Sequence, residues 1–465
     1  MPKVSIVSLG CPKNLVDSET LLGNLGKEGF ENTPNAEDAE LVLVNTCGFI
    51  EEAKRESIEE ILKLRHLKAE GKKLLVFGCL AKRYGNELMK EIPEIDALWG
   101  VGEEQKIVDY CKGAVEGQKP LVGGQRNIEE TGSMTEQRRL GTGSYAYLKI
   151  AEGCSRGCTY CVIPAIRGPY KSAAPEKILR KAEEHIASGI RELVVVAQDI
   201  ASYGREFGSY SLVSLLKDMA SIRGDFWIRL LYLYPTAMND ELLSLISREH
   251  KICRYLDIPL QHSEDGILRA MGRAGTKESY MHMIRRIRDA VPGATLRTTF
   301  IVGFPGETDD DFRGLSTFVE QMRFERLGVF VYSKEEGTPA AGMKKNVPKR
   351  IKEERRNEIM RIQSRISLDI NKALVGQRFR AVVDEVDGGT IIARLSSQAP
   401  EIDGVVIIET RRGAQDKAHE TRTDKDCENS LLCMPDNVRF PTPGEFVEVR
   451  ILDAYDYDLR GELVG

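Results

Sequence analysis

Three strand-length apolar runs early in the chain each end in a cysteine: VSIVSLG leads into Cys11, ELVLVNT into Cys47 and KLLVFG into Cys79. Apolar runs without polar alternation read as strands buried on both faces. The segments between and after them, SETLLGNLGKEGF, EEAKRESIEEILKLRHL and NELMKEI, carry apolar residues at helical spacing. Strand and helix in alternation predict an α/β fold, a doubly wound parallel sheet over residues 1–120. In such a sheet, ligands sit in the crevice outside the carboxyl ends of the strands. Three thiols far apart in sequence would therefore meet there. One buried cysteine is ordinary packing, but the same placement three times argues for a shared ligand. Cys111, on the helix-like EQKIVDYCKG, lacks that placement and reads as a core residue.

Residues 121–139 form a polar, glycine-containing linker. From 140 to 373 the alternation resumes, with strands near YAYLKIA, RELVVVAQ, FWIRLLYL, YLDIPLQ, ATLRTTFIVGF and LGVFVYS. Six βα repeats predict a partial (β/α)6 barrel whose site lies on the loops after the strands. The helix PKRIKEERRNEIMRIQSRISLDINKAL that follows is rich in both charges and reads as a solvated connector. Residues 374–465 turn to short β-runs, predicting a small all-β terminal barrel. An insertion within it, carrying Cys427 and Cys433, reads as an extended loop.

A chain of 465 residues exceeds what one core holds, since single cores stop growing near roughly 250 to 300 residues. Its longest apolar runs are strand-length, so no membrane span is expected, and its amino terminus lacks the pattern of a signal peptide. A cytoplasmic, reducing location is the expectation. Ten cysteines are too few for a disulfide scaffold, and in that compartment clustered thiols serve metals or catalysis.

The stretch AEGCSRGCTYCVIPAIRG sets Cys154, Cys158 and Cys161 three and then two residues apart on the loop after the first barrel strand. Structural zinc takes four protein ligands, usually as two separated pairs. Iron-sulfur clusters also normally take four cysteines. A lone triplet fits a cluster with one iron left open to substrate or cofactor, with zinc as the alternative.

On this C-x3-C-x2-C spacing the chain resembles the radical S-adenosylmethionine (SAM) superfamily, in which the open iron is chelated by SAM and the reduced cluster releases a 5'-deoxyadenosyl radical. SLGCPKNLVDSE, VNTCGFIEEA, GCLAKRY, YAYLKIAEGC, YLDIPLQH, TFIVGFPGET and QAPEIDG resemble the methylthiotransferases, and CPKN after the first strand resembles the branch acting on ribosomal protein S-twelve. That resemblance implies two 4Fe-4S clusters, one on Cys154, Cys158 and Cys161 and an auxiliary one on Cys11, Cys47 and Cys79. It implies a TRAM-like terminal domain for substrate recognition. It also implies SAM near Tyr160, near Gln198 and Asp199, and near Gly303, Pro305, Gly306 and Glu307 of GFPGE, a stretch that equally fits a turn and helix cap. Gln261 and His262 also end a strand, where a core histidine is as good a reading. No side-chain acid or base is implied, the chemistry belonging to cluster and SAM. The implied reaction methylthiolates the β-carbon of an aspartate and needs a sulfur donor and an electron donor such as flavodoxin or ferredoxin. After Arg167-Gly168 the family often has Ser-Arg-Pro, whereas Ser172-Ala173-Ala174-Pro175 stands here, so the arginine of the family's Ser-Arg-Pro has no counterpart in this chain.

Of the net charge of -5, residues 374–465 hold 11 Lys and Arg against 18 Asp and Glu, or -7, leaving +2 on the remainder. An acidic module repels phosphate and attracts a basic protein. This argues against direct RNA binding and for a ribosomal protein as partner. A transfer-RNA methylthiotransferase and a non-enzymatic zinc-bearing binding protein are the alternatives.

Overall fold

The computed structural model describes residues 1–116, 140, 143–409 and 440–464. The linker 121–139 and the insertion with Cys427 and Cys433 lie outside the described residues. The chain divides into two compact units: Met1–Gly141 with Ala151–Lys171 and Ser333–Gly342, and Thr142–Ile150 with Ser172–Tyr332 and Met343–Gly465.

The first unit contains β1 (Lys3–Ser8), α1 (Pro12–Lys27), β2 (Glu31–Asn32), β3 (Leu41–Thr46), α2 (Glu51–Leu64), β4 (Lys73–Gly78), α3 (Cys79–Glu91), β5 (Ala97–Trp99) and α4 (Glu104–Val115). Its sheet is parallel throughout, in the order β2-β1-β3-β4-β5. Alternate residues of the central strands feed opposite faces, as the twofold repeat of a strand requires. Leu41, Leu43, Leu75 and Phe77 pack with Leu21, Leu22 and Leu25 of α1 and Ile107 and Val108 of α4. Val42, Val44, Leu74 and Val76 pack on the other face with Ile61 of α2 and Leu80 and Leu88 of α3. Burial on both faces explains why these strands read as unbroken apolar runs. Cys111 belongs to the first of these cores and is fully buried.

In the second unit, β6 (Tyr145–Lys149) begins a new parallel sheet. Between it and the next strand of that sheet the chain passes β7 (Ala151–Glu152), α5 (Ile163–Arg167) and β8 (Lys171–Ser172), then α6 (Pro175–Ala187). The sheet continues through β9 (Glu192–Val196), α7 (Leu212–Ser221), β10 (Trp227–Leu230), α8 (Asp240–Arg248), β11 (Ile252–Asp257), α9 (Asp265–Ala270), α10 (Lys277–Ala290), β12 (Thr295–Val302), α11 (Asp309–Met322) and β13 (Arg326–Val331). The six strands lie side by side in chain order and the sheet stays open between β6 and β13. This is the partial barrel of βα repeats expected from the sequence.

The charged helix α12 (Lys349–Lys372) is not the solvated connector its composition implied. Arg355, Ile359, Ile362, Gln363 and Ile366 are buried on one face of it. Its charges saturate the remaining faces, and that dilutes the apolar stripe. Beyond it β14 (Arg378–Asp387), β15 (Thr390–Leu395), β16 (Val406–Glu409), β17 (Phe446–Ala454) and β18 (Leu459–Leu463) close a barrel in the order β14-β15-β16-β18-β17.

This barrel is fastened to the amino ends of the parallel strands. Glu192, the first residue of β9, lies between Arg229 of β10 at 2.5 Å and Arg394 of β15 at 2.6 Å. Trp227, at the start of β10, meets Phe446 edge-on with ring centroids 4.9 Å apart. Tyr145 and Tyr147 of β6 both donate to the Glu401 carboxylate, at 2.7 and 2.9 Å. The opposite, carboxyl ends of the strands are thereby left for the βα loops. Among the described residues no helix is long and apolar enough to cross a membrane.

Candidate metal centres

Cys11 precedes the first turn of α1, Cys47 directly follows β3, and Cys79 opens α3. The sheet thus brings the three thiols together at the carboxyl ends of β1, β3 and β4. Asn14 sits among them: its Oδ1 is 3.6 Å from the Cys79 Sγ and 4.0 Å from the Cys11 Sγ. The Asn14 amide is fixed from behind by the Leu9 and Thr46 carbonyls, to which its Nδ2 donates at 3.0 and 3.2 Å. Gly10 approaches from the other side with φ of +91°, and a Cβ there would stand 2.6 Å from the Cys47 Cβ and 2.9 Å from its Sγ. Only glycine leaves that space open.

Burial, with the neighbouring Cys11 and Cys79 thiols acting in the same direction, pushes the Cys47 thiol up to about 12. Cys79 is likewise raised by burial, with the Arg167 guanidinium opposing. Cys47 and Cys79, which resist ionisation in isolation, become good ligands once a cation compensates the thiolates. The donor set and its cradle fit an iron-sulfur cluster bound through three irons.

The second trio lies on the loop between β7 and α5, in the same compact unit. Cys154 is buried, while Cys158 and Cys161 are partly open. The loop folds back on itself: Cys154 N–H donates to the Gly168 carbonyl at 3.1 Å, and Cys161 N–H to the Cys158 carbonyl at 3.2 Å. Arg156 N–H points at the Cys154 Sγ at 3.5 Å, a contact suited to a thiolate. Tyr160 is half-buried on this loop.

The other residues singled out for SAM lie at the carboxyl ends of the parallel strands of the second unit. Gln198 and Asp199 follow β9, and the Asp199 carboxylate accepts from Ala201 N–H at 3.1 Å and from the Ser202 hydroxyl at 2.7 Å. In the loop after β12, Gly303 has φ of +74°, and a Cβ on it would meet the Lys352 Cγ at 2.2 Å. Glu307 Oε2 accepts Gly303 N–H at 2.6 Å and Phe304 N–H at 3.1 Å, while Oε1 pairs with Arg355 at 2.8 Å. Glu307 shapes this loop, and burial raises its carboxyl above the usual range. Thr308 caps α11, reciprocated by Asp311, so GFPGETDDD is also a helix start.

Gln261 follows β11 with a left-handed φ of +73°, held there by Gln261 N–H to the Thr299 carbonyl and Ile301 N–H to its own carbonyl, both at 2.8 Å. His262 is fully buried and its imidazole is pushed down to about 3 by burial. Its Nδ1 accepts Glu264 N–H at 3.0 Å, which puts the proton on Nε2, 3.8 Å from Glu307 Oε2.

Reading the sequence assigned no role to Asp17 or Arg167. The signal was faint: Arg167 stands six residues beyond Cys161, and Asp17 six beyond Cys11 on α1.

Comparison with known proteins matches three stretches of the chain. Residues 3–100 match the family described as uncharacterized protein family UPF0004, residues 148–319 the radical SAM superfamily, and residues 375–464 the TRAM domain. A protein named ribosomal protein uS12 methylthiotransferase RimO from Thermodesulfovibrio yellowstonii is 48% identical over 464 residues, covering 100% of both chains. One of the same name from Trichlorobacter lovleyi is 43% identical, covering 99% of this chain and 98% of that one. Among solved structures, the radical SAM methyltransferase TsrM from Kitasatospora setae, with tryptophan and a SAM analogue bound, superposes with a TM-score of 0.56 at 15% identity. It covers 83% of this chain and 79% of its own, a likeness of fold. Full-length identity at this level, with the three matched domains in this order, settles the affiliation: the chain belongs to the radical SAM methylthiotransferases, in the ribosomal protein uS12 methylthiotransferase family.

Proposed function

We propose that this chain attaches a methylthio group to the β-carbon of an aspartate in ribosomal protein uS12, using two SAM molecules and two 4Fe-4S clusters. The observation that carries this reading is the presence of two separate thiol trios in one compact unit, one on a single loop and one gathered from three strand ends. The names of the full-length relatives support the substrate. When bound, SAM and the clusters supply a hydrogen-abstracting radical and the sulfur to be transferred.

Radical chemistry suits the target, because the β-carbon of an aspartate bears no proton acidic enough for a general base working near pH 7. In this reading Cys154, Cys158 and Cys161 hold the cluster that SAM completes, and Cys11, Cys47 and Cys79 hold the second. Tyr160 lies beside SAM. Gly303 lets the cofactor loop pack against Lys352, and Glu307 is a positioning residue that ties the Gly303 and Phe304 amides. Gln198 and Asp199 border the same cofactor. The acidic terminal barrel favours a basic protein over RNA. An electron donor such as flavodoxin or ferredoxin and a sulfur donor complete the reaction in the cytoplasm.

The test is anoxic incubation of the reconstituted protein with SAM, a low-potential reductant and ribosomal protein uS12. A mass gain of one methylthio group on a single aspartate is expected. Unmodified protein alongside a methylthiolated adenosine in added transfer RNA would overturn the assignment.

A further inference from the structure

Arg167 ends the short helix α5 that follows the triplet loop, and its side chain is 1% exposed. Its Nη2 donates to the Asn14 Oδ1 at 2.5 Å and to Asp17 at 3.1 Å, and its Nη1 to Glu152 at 2.9 Å. The Asn14 oxygen it grips is the one that stands 3.6 Å from Cys79 and 4.0 Å from Cys11. The guanidinium therefore lies against the thiol trio of the sheet, although it belongs to the loop that carries the other trio. Val162 and Ile166, on the approach to Arg167, form one apolar cluster with Cys79. Two independent contacts, one ionic and one apolar, join the triplet loop to the strand-end trio.

We propose that Arg167 is a positioning residue that compensates the charge of the auxiliary cluster and sets its reduction potential. The inference rests on reading Cys11, Cys47 and Cys79 as cluster ligands. Three thiolates on the oxidised core of a four-iron cluster leave a net negative charge, and reduction adds one more. The carboxylates of Asp17 and Glu152 pair with the same guanidinium. Among the described residues Arg167 is a cation set against this trio, and a buried guanidinium is weakly screened. Such a cation favours the more negative, reduced state, so its removal lowers the potential. Asp17 acts in the opposite sense, so its neutralisation raises the potential.

The experiment uses the full chain with Cys154, Cys158 and Cys161 replaced by alanine, which leaves one cluster site. After anoxic reconstitution, the cluster is titrated with dithionite, each cluster taking up one electron as dithionite is oxidised to sulfite, and the reduced form is followed by electron paramagnetic resonance. Arg167→Gln is expected to cut the ratio of reduced to oxidised cluster on the order of tenfold at a fixed potential, a downward shift of about 59 mV for a one-electron couple. Arg167→Lys should restore most of that ratio. Asp17→Asn should shift it upward, and it keeps the test decisive where Arg167→Gln does not fold. A full iron content with unchanged potentials in the folded variants overturns the proposal and leaves the cluster assignment standing. No iron in the triple-alanine chain overturns the assignment and the proposal together.

Discussion

Arg394 of the terminal barrel donates from Nη1 to Glu192 Oε2 at 2.6 Å, across 202 residues of sequence, with both side chains almost wholly buried. Arg229 takes the other oxygen of the same carboxylate at 2.5 Å. Burial alone would raise the Glu192 carboxyl, but the two guanidiniums outweigh it and hold it below the ordinary carboxylate range. Removing the carboxylate leaves the buried Arg229 without its anion, while Arg394 keeps Asp384 at 2.6 Å. Glu192→Ala is therefore expected to destabilise the second unit by about 3–5 kcal/mol, the range for breaking one partner of a buried ion pair. Urea unfolding, followed by the fluorescence of Trp227 in a Trp99→Phe background, checks this.

The buried His262 gives the fold an acid sensitivity of defined sign. Its folded value of about 3 lies below the unfolded value of about 6.5, so the unfolded chain binds the extra proton between these limits. The stability associated with neutral His262 is fully present above about pH 6.5 and is lost as the pH falls toward 3. The slope from this one group reaches about 1.36 kcal/mol per pH unit. Comparing the stability of the wild type and His262→Asn from pH 7 to pH 4 should show the difference in slope, and parallel curves would refute it.

Gly10 leaves no room for a Cβ beside Cys47. Gly10→Ala should therefore prevent assembly of the auxiliary cluster while leaving the triplet loop loaded. Anoxic analysis is expected to give about eight irons per wild-type chain and about four for Gly10→Ala. The combined replacement of Cys11, Cys47 and Cys79 by alanine should give the same halved value, and zinc without iron in the wild type would contradict both expectations.

In the loop after β12, Gly303→Ala meets a double obstacle: a left-handed backbone and a Cβ against the Lys352 Cγ. The backbone conformation alone costs an ordinary residue about 1–2 kcal/mol. Displacement of this loop should weaken SAM binding on the order of tenfold, equivalent to about 1.4 kcal/mol, with iron content unchanged. Equilibrium dialysis of the reconstituted protein against labelled SAM reads the affinity directly.

The helix α12 shows where sequence reading fails. Its charged residues mark it as solvated, yet Arg355 turns inward to pair with Glu307 at 2.8 Å and Asp309 at 2.7 Å. A buried arginine and a surface arginine look alike in a sequence, because only the partner across the fold distinguishes them. The same ambiguity hid Arg167, whose partners Asn14 and Asp17 lie 153 and 150 residues away.

The sequence by itself determined what is local. Apolar runs fixed the parallel strands, C-x3-C-x2-C put three thiols on one loop, and cysteines after three strands put three more at the strand ends, because strand periodicity and loop spacing are written in adjacent residues. The tertiary structure decided which charges meet. Burial of Arg167 against the strand-end thiols, of Glu192 between two arginines and of Glu307 against Arg355 depends on elements 153, 202 and 48 residues apart, and in a low-dielectric interior that pairing governs each group's charge.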